Sequence, residues 1–386
     1  MSQPRASDVG VARRALVAGG GIAGLATAIA LGRAGFQVDV FERASEIREV
    51  GAGISLWANA IRALDRLGLR PAIEACSVAY ETGGLKTASG TVLSAISAAE
   101  LQRLLGIAVI VLHRADLLAA LRSAVSPSSI TFGATCVGAA QDSDGVELRL
   151  ADGRTVRGDV LVGAEGLHSS VRAHLHGSEP PRYAGCTAWR SVVPFAHQRI
   201  RASETWGDGY LFGQVPISGN RVYWYAAKHC PKGGRSPRAK PELLEIFGGW
   251  HEPIGELIEA ADESTILRND IYDRPPLKTW GKGRITLVGD AAHPMTPFLG
   301  QGACQALEDA VVLGESLSNG GDIRNGLQEY ERRRIPRANA FVVRSRRVGQ
   351  IARVSNPILV AMRNGLLKRV SPTLQARQIA AMINGG

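Results

Sequence analysis

The chain has 386 residues, 45% of them hydrophobic and 21% charged, and 45 Lys and Arg stand against 35 Asp and Glu for a net charge of +10. This length and apolar content allow a large core shared between two domains, and exclude a fibrous or low-complexity chain. The cysteines, Cys76, Cys136, Cys186, Cys230 and Cys304, are odd in number and never spaced Cys-x-x-Cys. That argues against a disulfide scaffold or a zinc site, and for a reducing cytoplasm.

In chain order, the first element is a short apolar strand from Ala15 to Ala18, followed at once by Gly19-x-Gly21-x-x-Gly24 and a small-residue helix pattern. A second strand, Gln37 to Glu42, ends in a carboxylate. Arg13 and Arg14 precede 18 uncharged residues, which is also the pattern of a twin-arginine or membrane-inserting segment. Glycines at 19, 20, 21, 24 and 32 argue against that reading, at about 1 kcal/mol each relative to Ala in a helix. A β-α-β unit is expected instead. No other stretch is apolar enough to span a bilayer, so no membrane is expected.

Ile61 to Leu67 reads as a short amphipathic helix stopped by Gly68, and a further helix begins near Arg114 with Leu117, Leu118 and Leu121 on one face. From Val137 to Val162 the period changes to two, with Asp152-Gly153 as a hairpin turn. Residues 183–270 hold most of the aromatic content and several strand patterns, read as an antiparallel sheet forming a binding wall. A buried strand, Ile285 to Val288, leads back to helices. The expected fold is α/β, a Rossmann-like dinucleotide-binding domain with an inserted antiparallel β-sheet domain and C-terminal helices. The first domain is discontinuous, over 1–75, 100–180 and 270–386, and the sheet domain takes 76–99 and 181–269. A late run of arginines, Arg332, Arg333, Arg334, Arg337, Arg344, Arg346, Arg347 and Arg353, reads as a solvated helix face rather than a nucleic-acid site.

The chemistry lies in two glycine-rich stretches. In the first, Gly19 permits a tight turn, Gly21 admits a pyrophosphate to backbone N–H groups, and Gly24 lets helix and strand pack closely. Glu42 suits the hydroxyls of an adenosine ribose. The second, Gly289-Asp290 with Pro297-x-x-Gly300-Gln301-Gly302, opens a helix whose N-terminal N–H groups can hold an anionic flavin ring edge. Together they read as the two ends of one FAD. No His-Glu-x-x-His or other metal motif is present, and no metal is expected.

These motifs, with Glu42-Arg43, Gly51-Ala-Gly-Ile-Ser55, Arg114 in His-Arg-Ala-Asp-Leu, and Gly163-Ala-Glu-Gly-Leu-His-Ser169, make the chain resemble the single-component FAD-dependent aromatic hydroxylases. That family has the p-hydroxybenzoate hydroxylase fold and includes salicylate, 3-hydroxybenzoate and urate hydroxylases. The likeness covers nearly the whole chain. It implies that Glu42 and Arg43 serve the adenosine side, that Gly53 and Ser55 lie beside the cofactor, and that Arg114 approaches the diphosphate and ribityl region. It further implies that Asp290 bonds the ribityl chain and that Pro297, Gly300, Gln301 and Gly302 lie against the isoalloxazine. The implied activity is hydroxylation of an aromatic or heteroaromatic small molecule with NADH or NADPH and O2, through a flavin C4a-hydroperoxide, by a cytoplasmic monomer or homodimer.

The inserted sheet offers Trp189, Arg190, Trp206, Tyr210, Phe212 and Tyr225 toward a substrate, with Phe298 and Leu299 from the flavin loop. Tyr210 and then Arg190 are the foremost of these, joining Pro297 and Gly300 as expected catalytic-site residues. An epoxidase or Baeyer-Villiger-type oxygenase on the same fold, and a catalytically silent flavin-binding protein, are the alternatives. Two departures from the family pattern stand out. Glu165 takes the place of the usual Asp, and Cys304 stands where Asn is common, as a buried small hydrophobe.

Overall fold

The structure, a computed structural model, describes residues 13–46, 52–80, 82–196, 200–233 and 238–385. Its first layer is a five-stranded parallel sheet in the order Ile285–Leu287, Val160–Gly163, Arg14–Ala18, Gln37–Glu42, Ile130–Phe132. Ala15 to Ala18 and Val160 to Val162 are fully buried, as expected of strands covered on both faces. The helix Ile22–Arg33 packs between this sheet and the helix Gly302–Leu317, which is why its apolar residues are not confined to one stripe. Close approach is built in at Gly314, where a Cβ would lie 3.0 Å from Ala30.

Two three-stranded sheets flank this layer. Cys136–Gln141, Val146–Leu150 and Thr155–Gly158 form an antiparallel meander whose second turn has Gly153 at φ +87°. Gly53–Leu56, Ile110–His113 and Val78–Ala79 form the other.

The second layer is a seven-stranded sheet ordered Leu267–Asp273, Arg182–Pro194, Arg221–His229, Tyr210–Ile217, Ser203–Trp206, Thr82–Thr87, Val92–Ser97. The strands at 82–97 thus join those at 182–273. The pairing of Ser203–Trp206 with Thr82–Thr87 is parallel, so the sheet is mixed rather than antiparallel throughout. One face of the sheet holds Trp189, Phe212 and Trp224 against Phe247, Leu243 and Leu257 of the helices Ala239–Phe247 and Ile254–Glu259. The other face looks toward the parallel-sheet layer.

The late arginines sit on the 30-residue helix Ile323–Ala352 and just after it, and they are not all solvated. Arg332 is exposed beside Glu329, but Arg334 is buried and paired with Glu308 and Asp309. Arg346 pairs with the fully buried Asp273, and Arg353 lies 5.1 Å from the Phe298 ring centroid. The expectation of a solvated face fails because the opposite side of this helix packs on buried carboxylates that require cations. All five cysteines are free. Among the described residues no helix is long and apolar enough to cross a membrane, and no cluster of three or more His, Cys, Asp or Glu side chains is arranged to hold a metal.

Candidate active site

The three fingerprint glycines do three different things. A Cβ on Gly19, which has φ +106°, would lie 2.5 Å from the carbonyl oxygen of Ala164, and one on Gly24 would lie 1.9 Å from the carbonyl oxygen of Gly19. A Cβ on Gly21 would meet nothing within 4 Å. Gly19 and Gly24 are therefore fixed by the protein's own packing, whereas Gly21 keeps a space open at the N-terminus of Ile22–Arg33, where an anion is favoured. Glu42 ends its strand with Oε2 accepting from the N–H of Gly20 (2.6 Å) and Oε1 from that of Ala44 (2.9 Å). Arg43 beside it is exposed, and Gly51 lies outside the described residues.

At the second stretch, the strand Ile285–Leu287 runs into a tight turn with Gly289 at φ +57°. A buried network holds that turn. Asp309 accepts from the N–H of Gly289 (2.9 Å), contacts His293 Nε2 (2.5 Å) and pairs with Arg334 (2.7 Å). Burial alone would raise the Asp309 carboxyl, but His293 and Arg334 bring it down to about 2. The turn presents Asp290 to a cavity of about 710 Å³ that opens between the two layers. Although its side chain is accessible from the cavity, enclosing protein pushes the Asp290 carboxyl up, opposed by His293 and Arg114. Arg114 is the first residue of the helix Arg114–Ser123 and also lines the cavity. Burial pulls its guanidinium down, and Asp290 works against that.

Residues Pro297–Leu299 form a single turn that ends at Gly300, in left-handed conformation at φ +60°. The N–H of Gly300 closes this turn onto the carbonyl of Pro297 (2.9 Å), so it is not a free donor. The donors left at the cavity are the N–H groups of Gly302 and Ala303, in the first turn of Gly302–Leu317. Gln301 turns its side chain into the core, where its Oε1 accepts from Asn59 (3.1 Å) and Gln305 (3.2 Å). Cys304 is fully buried, with its thiol pushed up to about 12 by burial.

Facing these elements is the open side of the seven-stranded sheet, and cross-strand register sets its side chains. Arg190 pairs with Tyr225, Tyr225 with Gly213, and Gly213 with Glu204. Residues directly opposite one another share a face, so this row crosses four strands on the cavity side, and Arg190, Tyr225 and Glu204 all line the cavity. Tyr223, two residues before Tyr225, joins them, with ring centroids 5.7 Å apart. Gly53 and Ser55 lie on the strand Gly53–Leu56. A Cβ at Gly53 would come 2.6 Å from the Tyr223 ring, so Gly53 makes room for the sheet wall as well as lining the cavity.

Among the expected site residues, Gly21, Gly53, Ser55, Arg114, Arg190, Asp290, Pro297, Gly300, Gln301 and Gly302 line this one cavity. Tyr210 does not. It lies on the opposite face, with its ring edge-on to Phe247 at 6.0 Å, because Leu211 and Gly213 occupy the cavity-facing positions of that strand. Trp189 and Phe212 are buried on that same far face, and Trp206 is buried on the cavity side beside Leu211. Missed from the sequence were Glu204, Tyr223 and Tyr80. Glu165 accepts from the Ser169 hydroxyl (2.6 Å), the Ser170 hydroxyl (2.8 Å) and the Val171 N–H (3.1 Å).

A family model described as an FAD-binding domain matches residues 13–345. The chain belongs to this FAD-binding family. As a member of the FAD-dependent monooxygenase family, the flavoprotein is 43% identical over 92% of its length to an aurachin C monooxygenase/isomerase of Stigmatella aurantiaca, 94% of which is covered. It is 34% identical over 86% of its length to an FAD-dependent urate hydroxylase of Klebsiella pneumoniae, with 89% of that protein covered. Its structure matches that of Klebsiella pneumoniae HpxO complexed with FAD and uric acid at a TM-score of 0.92, with 30% identity and 97% of each chain covered. The structure of a salicylate hydroxylase substrate complex matches at 0.76, with 25% identity, covering 96% of this flavoprotein and 98% of the hydroxylase.

The residues present fit FAD. The open space at Gly21, the Asp290 carboxylate turned into the cavity and the unpaired N–H groups opening Gly302–Leu317 match a pyrophosphate, a hydroxylated chain and an anionic ring edge in turn.

Proposed function

We propose that this flavoprotein hydroxylates an aromatic or heteroaromatic small molecule, using NADH or NADPH and O2. The observation that carries the reading is that one cavity joins the Gly21, Asp290 and Pro297–Gly302 elements to a wall of Arg190, Tyr223, Tyr225 and Glu204. A ring seated against that wall lies opposite the flavin-loop residues. FAD, when bound, supplies the redox and oxygen-transfer chemistry.

In this reading Glu42 and Arg43 hold the adenosine side. Arg114 serves the diphosphate and ribityl region, and Asp290 accepts from the ribityl hydroxyls. Pro297 and Gly300 shape the flat seat of the ring, and Gly302 with Ala303 donates to its anionic edge. Arg190 orients the substrate by charge and hydrogen bonding. Glu165 is committed to the N-terminus of the helix Ser170–His176, and in this reading it is a structural residue rather than a cofactor contact. The relatives support the substrate class, since their names and complexes include urate, salicylate and an aminohydroxybenzoate. A cytoplasmic monomer or homodimer is the assembly we infer.

The test is a panel of phenolic and heteroaromatic compounds scored for stimulated NAD(P)H oxidation and for product mass. A product heavier by one oxygen supports the reading. Protein that stays yellow yet never oxidises NAD(P)H with any ring compound contradicts it and favours a silent flavin-binding protein.

A further inference from the structure

The cross-strand row on the cavity wall carries an inference that rests on the reading above and names its substrate class. Strands lie about 4.8 Å apart, so the three steps from Arg190 to Glu204 span about 14 Å. The row therefore has a cationic end at Arg190 and a carboxyl end at Glu204. Gly213 lies between Tyr225 and Glu204, and a Cβ there would fall 2.0 Å from the Tyr225 ring. Its absence lets Tyr225 lie across the strand and donate its hydroxyl to Glu204 Oε2 at 2.6 Å. The indole N–H of Trp206 donates to Glu204 Oε1 (2.5 Å).

Glu204 lines the cavity, and among the described residues no cation forms an ion pair with it. A carboxyl enclosed by protein is costly unless donors complete its oxygens. Both of its oxygens already receive donors, so the partner that the geometry favours is a further donor. Around it the cavity turns apolar, with Leu85 beside it in the register and Tyr80, Ile96, Leu101 and Val109 beyond. Burial pushes the Tyr80 hydroxyl up to about 12, so it stays neutral.

We propose that Glu204 is the specificity-determining residue of this cavity: it accepts a hydrogen bond from an N–H or O–H of an uncharged lactam or enol ring, and it rejects rings that carry a carboxylate at that end. An apolar heteroaromatic ring with a single donor edge satisfies Glu204 and fills the apolar lobe. A carboxylated ring in the same place sets a second carboxyl against one that burial already pushes up, so it binds only by taking up a proton.

The experiment titrates the FAD-loaded protein with 2-hydroxyquinoline, which presents a lactam N–H, with 1-methyl-2-quinolone, which lacks it, and with 3-hydroxybenzoate. Binding is read from perturbation of the flavin absorbance. The wild-type protein should bind 2-hydroxyquinoline at least tenfold more tightly than 1-methyl-2-quinolone, and 3-hydroxybenzoate more weakly than Glu204→Leu does. Glu204→Leu should abolish the preference over the N-methyl ring while FAD affinity is unchanged. Glu204→Gln, which keeps one acceptor oxygen and the local shape, should retain part of it. Equal binding of the two quinolones by the wild type, a preference that survives in Glu204→Leu, or 3-hydroxybenzoate binding that does not improve in Glu204→Leu overturns the proposal. Because the readout needs neither NAD(P)H nor turnover, these results stand apart from the outcome for monooxygenase activity.

Discussion

A Cβ on Gly24 would lie 1.9 Å from the carbonyl oxygen of Gly19, closer than any non-bonded contact. The turn and the helix that follows it therefore fit together only when position 24 has no side chain. Gly24→Ala should cost about 3 kcal/mol or more, because the atom it meets is backbone and cannot rotate away. Gly21→Ala is the contrast. It should leave the thermal midpoint of the FAD-free protein unchanged and weaken FAD binding about tenfold, by filling the space kept for the pyrophosphate. Thermal unfolding and FAD titration of the two variants separate these effects, and equal loss of stability in both would contradict the assignment.

Glu42→Ala should lower FAD affinity about ten- to a hundredfold, through loss of charge-assisted hydrogen bonds worth about 1.5 to 3 kcal/mol. The carboxylate also holds the N–H groups of Gly20 and Ala44, so the variant should lose some order in the loop before any ligand is added. Isothermal titration with FAD checks the first effect. Unchanged affinity would mean that the ribose is held elsewhere.

Asp309 has its carboxyl at about 2 in the folded protein, below an ordinary value of 3.8. A depressed folded value means stability that is fully present above about pH 4 and lost as pH falls toward 2. Asp309→Asn should therefore show a shallower loss of stability across that window than the wild type. At neutral pH it should be about 3 kcal/mol less stable, because Arg334 loses a buried counter-charge. Denaturant unfolding at pH 7 and along the acid limb measures both.

Gly300→Val should fold, judged by circular dichroism, but fail to couple electron use to product. A β-branched residue at φ +60° is strained, whereas the space next to this position is not crowded, the nearest contact of a Cβ being 3.6 Å from Trp57 Nε1. The loop should shift rather than the fold collapse, and NAD(P)H electrons should appear as hydrogen peroxide. Product and peroxide per NAD(P)H consumed give the result. Wild-type coupling in a folded, flavin-loaded variant would show that this loop does not shape the reaction site.

The glycine turns that line the cavity were legible because their constraints are local. Gly19, Gly21 and Gly24, and later Gly289, Asp290 and Gly300, are fixed by turns that a few consecutive residues define. The substrate wall was not, because it depends on register. Tyr210 and Tyr225 are both aromatic residues in period-two strands, and nothing within either strand says which face meets the cavity. Only the pairing of Gly213 with Tyr225 and Glu204 puts Tyr225 inside and leaves Tyr210 against Phe247. Glu204 gave no signal in sequence, since a lone glutamate in Ser203–Trp206 reads as an ordinary polar strand position. The buried arginines of Ile323–Ala352 were missed for the same reason, their carboxylate partners being far away in the chain.

We propose that turnover transfers one oxygen atom from O2 to a ring bound in this cavity. The FAD-loaded protein should be supplied with NAD(P)H and the ring compound that most stimulates its oxidation, under an atmosphere of 18O2, and the product weighed by mass spectrometry. One 18O atom per product molecule is the predicted result. Product carrying only solvent oxygen, or NAD(P)H oxidation that yields hydrogen peroxide and no oxygenated ring, would contradict the account.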